Sequence, residues 1–61
     1  MNIGDRIYFV GDKTPSTLVE IHTTPKMFNI YRFSNPQYDD DFSFTENEIK
    51  RNRRQYDASE Q

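Results

Sequence analysis

Asp41-Phe42-Ser43-Phe44-Thr45-Glu46-Asn47-Glu48-Ile49 (DFSFTENEI) is the stretch on which the fold turns. Phe42 and Phe44 stand two residues apart, so in an extended strand both rings leave from one face. Thr45 has the chemistry of a helix N-cap, and Glu48 follows three residues later, which is the spacing of a capping box. Phe44 precedes the cap and Ile49 falls at the fourth helical position, the spacing of a hydrophobic staple. The strand is therefore expected to end in a capped turn, 3-10 or α, near residues 45–50. The last ring clamps Ile49 and sets the direction in which the chain leaves the sheet.

Working outward, the rest of the chain reads as short strands between breakers. Residues 6–10 (RIYFV) are aromatic or β-branched after a Gly4-Asp5 turn, with Ile7 and Phe9 on one face. Residues 11–16 (GDKTPS) form a loop. Residues 17–23 (TLVEIHT) alternate: Val19 and Ile21 share one face, and Leu18, Glu20 and His22 share a wet one. Thr24-Pro25-Lys26 suits a hairpin connection, with proline presetting the turn. Residues 27–33 (MFNIYRF) place Asn29, Tyr31 and Phe33 on one face and Phe28, Ile30 and Arg32 on the other. Both faces carry apolar bulk, so the strand is either covered on both sides or keeps one side for a partner. A polar loop (residues 34–41) leads to the decisive stretch. Beyond it, residues 50–56 either prolong the helix, with Glu46 and Lys50 suitably spaced, or begin a charged edge strand. Residues 57–61 are expected to fray.

The chain has 61 residues, net charge −2, one histidine and no cysteine. That length allows one domain, expected over residues 1–56, with a small core. Without cysteine there is no disulfide and no thiolate zinc site, so packing and hydrogen bonds must carry the fold. Aromatic residues, 15% of the chain, supply the large buried areas that so short a core requires. The charge balance pushes toward neither nucleic acid nor an anionic membrane. No apolar run approaches the ~20 residues of a membrane span, and residues 1–5 lack the features of a signal peptide. Together with the absence of cysteine, this makes a cytoplasmic protein the expectation.

The order GDRIYFV, loop, TLVEIHTT, FNIYRF, loop, FSFTENEIKR resembles small SH3-like barrels of the Tudor and KOW type. Gly4-Asp5, Ile7, Val19, Ile21, Tyr31, Phe33, Phe44, Glu48 and Ile49 carry the resemblance, which covers residues 3–54. It implies an all-β fold: a small barrel of about five short strands with one helical turn before the last. One departure is Pro15-Ser16-Thr17, where such domains often place a glycine before the second strand. The chain also lacks the tryptophan of peptide-binding SH3 domains of the signalling type. A fold of this kind hosts many functions, so function must come from particular residues.

Catalysis is the weakest reading. A nucleophile needs an adjacent base and an orienting group, and His22, the sole histidine, sits on the wet face of a strand. No cofactor is expected. Asp39-Asp40-Asp41 offers oxygens to a hard cation but lacks the glycine and distal glutamate of a calcium loop. No metal site is therefore assigned, and the run reads better as a solvated loop or a charged docking patch. Tyr8, Phe28 and Tyr31 could form a cage for a methylated cation, although the core claims most rings. Phe28, Ile30 and Arg32 combine aromatic, aliphatic and guanidinium groups, the composition of interface hot spots. With Asp39, Asp40 and Asp41 they form the candidate protein-binding surface, which could also pair two copies of the chain. Lys50, Arg51, Arg53 and Arg54, with Tyr56, form a candidate nucleic-acid-binding segment. Five of the ten acidic residues lie in residues 39–48, directly before it. That segregation makes the surface dipolar and favours oriented docking on a protein. The expectation is a non-catalytic module that docks on a protein, such as an accessory or inhibitory protein of a phage or mobile element. A nucleic-acid-binding module is the alternative.

Overall fold

The computed structural model describes residues 1–53. They form β1 (Arg6–Ile7), β2 (Ser16–Thr23), β3 (Asn29–Ser34), β4 (Phe42–Thr45) and α1 (Glu46–Asn52). The four strands make one antiparallel sheet in the order β1-β2-β3-β4, each beside its neighbour in sequence. Among the described residues no helix is long and apolar enough to cross a membrane.

The core is built from one residue or two per element. Ile7, Phe9, Leu18, Tyr31, Phe33 and Ile49 are buried together, and Phe42 and Phe44 pack against them. Phe9 sits at the hub of the rings, edge-on to Phe33 at 5.1 Å, Phe44 at 5.2 Å and Phe42 at 5.9 Å between centroids. Edge-to-face pairs of this kind add about 0.5–1.5 kcal/mol each to the area they bury.

The capping box forms as its spacing predicts. The Glu48 backbone N–H donates to Thr45 Oγ1, and the Thr45 N–H donates to Glu48 Oε1 at 3.0 Å. Phe44 packs on the cluster that holds Ile49, in keeping with the staple spacing. At the other end the Arg53 N–H donates to the Ile49 carbonyl and Asn52 Nδ2 to the Glu48 carbonyl, so two terminal acceptors are satisfied. The cap thus supports a helix that continues to Asn52, and Lys50 and Arg51 belong to it rather than to an edge strand.

Three sequence expectations change. The first strand is shorter than residues 6–10, because the chain turns at Gly11. The Asp12 N–H donates to the Phe9 carbonyl across that turn, and Gly11 holds φ at 88°. A side chain there would strain the left-handed backbone that a turn's third position requires. Secondly, the faces of β2 are not those of simple alternation. The pairing slips between Leu18 and Glu20: Leu18 opposes Phe33, Glu20 opposes Arg32 and Ile21 opposes Tyr31. Val19 is the extra residue of a bulge, so Leu18 lies on the core face with Ile21. Leu18 is 0% exposed and Val19 is 37% exposed, the reverse of the alternating reading. Thirdly, the described residues form an open four-stranded sheet with a short helix, and a five-stranded barrel is not formed among them. Of the two readings left open for residues 50–56, the helix holds through Asn52, and beyond it among the described residues only Arg53 pairs, through a single bridge to Phe9. The expected tail, residues 57–61, lies outside the described residues.

Candidate binding groove

Two loops meet beside the exposed edge of the ring cluster, and a buried asparagine holds them together. Asn35, 3% exposed, donates from Nδ2 to the Thr14 carbonyl and to Ser16 Oγ, each at 3.0 Å. Its Oδ1 accepts from the Gln37 N–H at 2.9 Å, an Asx-turn at the start of the β3–β4 loop. Pro36 follows at the second position of a turn closed by the Tyr38 N–H on the Asn35 carbonyl. Gln37 Oε1 in turn accepts from the Lys13 N–H. The β1–β2 and β3–β4 loops are thus tied by side chains from both.

This tie brings Tyr38 onto Asp12. The Tyr38 hydroxyl donates to Asp12 Oδ1, which pushes the phenol pKa above its ordinary value; desolvation and the Asp12 charge act in the same direction. The Tyr38 ring meets Phe42 edge-on at 5.9 Å and remains 46% exposed. Between these loops, β4 and the end of α1 lies an open groove of about 570 Å³. Phe9, Phe42 and Phe44 line its apolar side, and Asp12, Asp39, Asp40 and Asp41 supply carboxylates. Val10 and Asn52 complete the wall.

The charges are unevenly compensated. Arg32 donates from Nε to Glu20 at 2.9 Å and from Nη1 to Asp41 at 2.6 Å, on the sheet face opposite the core. Among the described residues these are the only ion pairs, so Asp12, Asp39 and Asp40 have no cationic partner there. Lys50, Arg51, Arg53 and Arg6 likewise form no ion pair among the described residues. Arg6 and Arg53 line one shallow cleft together with Met1, Asp5 and Ile7.

The residues expected to bind protein are therefore divided. Asp39, Asp40 and Asp41 line the groove, and Arg32 reaches it through Asp41. Ile30 is half-buried on the outer face, opposite His22 and Thr45. Phe28 precedes the other end of β3, roughly 17 Å from Phe33 at the rise of an extended strand. There it is 46% exposed beside Met27, which is 90% exposed and holds a left-handed φ of 67°. Both line a second shallow cleft with Thr45, Glu46 and Asn47. Of the candidate cage residues, Tyr31 is in the core, its hydroxyl donating to Glu46 at 2.9 Å. His22 is exposed, and no three acidic or histidine side chains gather as a metal site among the described residues. Lys50, Arg51 and Arg53 are exposed; Arg54 and Tyr56 lie outside the described residues.

Sequence reasoning missed Phe9, Asp12, Tyr38, Phe42 and Phe44 as groove residues. The run Tyr38-Asp39-Asp40-Asp41-Phe42, acids bracketed by two rings, was the one local signal for it. Asp12 lies 26 residues before Tyr38, and nothing in its own neighbourhood announces their pairing. Comparison with protein-family models, with curated proteins and with solved structures finds no match to this chain.

Proposed function

We propose that this chain is a non-catalytic binding module that docks on a protein partner. The observation that carries the reading is the groove: an apolar side of aromatic rings beside the carboxylates of Asp12, Asp39 and Asp40, which have no ion pair among the described residues. Rings next to unsatisfied charge give both the buried area and the orientation that protein recognition uses. The exposed Met27 and Phe28 offer a second apolar contact at the far end of the sheet. A small SH3-like barrel is the architecture that suits this module, and the isolated Phe9–Arg53 bridge supports it, because there the chain returns after the helix to the segment that follows β1. Size and economy suit an accessory or inhibitory protein of a phage or other mobile element, acting in the cytoplasm.

Affinity capture from the source cell tests the reading. Wild type should retain a partner at stoichiometric levels, and Phe28→Asp or Asp39→Asn/Asp40→Asn should lose it while remaining folded. Equal retention by every folded variant would defeat docking through these surfaces. A second reading has its own observation. Lys50, Arg51, Arg53 and Arg6 form no ion pair among the described residues, and Arg6 and Arg53 share a cleft, which suits phosphate contacts. A salt titration against single- and double-stranded nucleic acid decides it. Salt-sensitive binding supports this reading, and no binding below high micromolar ends it.

A further inference from the structure

We infer that the groove takes an arginine side chain, presented by a basic segment of the partner protein; this rests on the docking reading and names what the groove holds. Three features lead there. Asp12 is nine-tenths buried, yet its Oδ1 has a single hydrogen-bond donor, the neutral Tyr38 hydroxyl. Its Oδ2 accepts no hydrogen bond from the described residues, and Asp12 is one of the residues that line the groove. A carboxylate held out of water with no cation beside it is costly until a cation arrives.

Asp39 and Asp40 lie on the same groove, also without an ion pair among the described residues, so the occupant should be positively charged. The rings decide which cation. The Tyr38 ring is half exposed and Phe42 and Phe44 are only partly buried, so aromatic surface stands beside the carboxylates. A planar guanidinium stacks on such rings while donating in a fork to carboxylates, whereas a lysine ammonium is a compact, strongly hydrated point charge. The nearest internal precedent is Arg32, which already bridges Glu20 and Asp41 with two of its nitrogens. The volume, about 570 Å³, is ample for one side chain and its flanking backbone.

The test is a titration of the full chain, followed by amide NMR, with acetyl-Gly-Arg-Gly-Arg-Gly-amide, its lysine counterpart and its glutamate counterpart. The arginine peptide should saturate shifts confined to residues 9–12 and 38–44 and should bind more tightly than the lysine peptide. The glutamate peptide should not bind. Asp39→Asn/Asp40→Asn should weaken the arginine peptide about 2- to 30-fold, the range of two exposed charge pairs. Because the Asp12–Tyr38 contact could affect folding, Asp12→Asn is compared with Tyr38→Phe, which keeps the ring. Asp12→Asn should weaken binding more than Tyr38→Phe does. Equal binding of the lysine peptide overturns the guanidinium assignment. Absence of shifts up to millimolar peptide overturns the occupant altogether. So does a salt-sensitive dimer abolished by Asp39→Asn/Asp40→Asn, which would mean that a second copy fills the groove. If the peptides fail while affinity capture persists in wild type and is lost in Phe28→Asp, docking survives and only the groove's occupant is wrong.

Discussion

The bulge at Val19 makes a prediction that separates two readings of the second strand. Simple alternation buries Val19 and Ile21 and leaves Leu18 wet; the paired register buries Leu18 completely and leaves Val19 37% exposed. Leu18→Ala removes a side chain packed in the cluster with Ile7, Phe9, Tyr31, Phe33 and Ile49. Leucine-to-alanine changes at buried sites cost about 2–5 kcal/mol, the spread reflecting how far the site collapses. A chain of this length is expected to hold roughly 3–9 kcal/mol in total. The substitution therefore removes a large share of the stability and should lower Tm by at least roughly 8 °C. Val19→Ala loses part of a half-wet side chain at an unpaired position and should cost less than about 1 kcal/mol. Urea unfolding followed by far-ultraviolet circular dichroism measures both, with the m-value checked for constancy. If Val19→Ala costs as much as Leu18→Ala, the bulge and the core assignment built on it are wrong.

Three further outcomes follow from the same contacts. Thr45→Ala removes the acceptor of the capping box and should cost about 0.5–2 kcal/mol in urea unfolding, whereas Thr45→Ser should be close to wild type. Phe28 lies outside the strands and is half exposed, so Phe28→Asp should keep the wild-type circular dichroism spectrum; unfolding would make it a core residue. The Tyr38 phenol should titrate above its ordinary value by absorbance at alkaline pH and return toward it in Asp12→Asn. A raised folded-state pKa favours the protonated phenol, so this contribution to stability is present below the unfolded pKa of about 10 and is lost as pH rises through the folded one. A titration unchanged by Asp12→Asn would contradict the hydrogen bond.

What the sequence determined by itself is what neighbours within a few residues can decide. Thr45 and Glu48 are three apart, Phe44 and Ile49 five apart, and their capping box and staple spacing survive unchanged because the partners meet within one helical turn. The faces of β3 are equally local: Tyr31 and Phe33 are buried and Arg32 is exposed, as a two-residue period requires. The antiparallel order of the strands follows from their short connections.

Tertiary structure alone decided the rest. The bulge lets Leu18 meet Phe33 while Glu20 meets Arg32, which also holds Asp41, a compromise between two faces that the local alternation of β2 cannot express. The continuation of the helix to Asn52 likewise depends on Ile49 finding the core and Arg53 finding Phe9. The groove is the least local feature. Asn35 ties two loops that are far apart in the chain, and only then does Asp12 reach Tyr38 and the carboxylates of residues 39–41 line the exposed side of Phe42 and Phe44. Charge and aromatic content were visible along the chain, but their convergence is a property of chain closure.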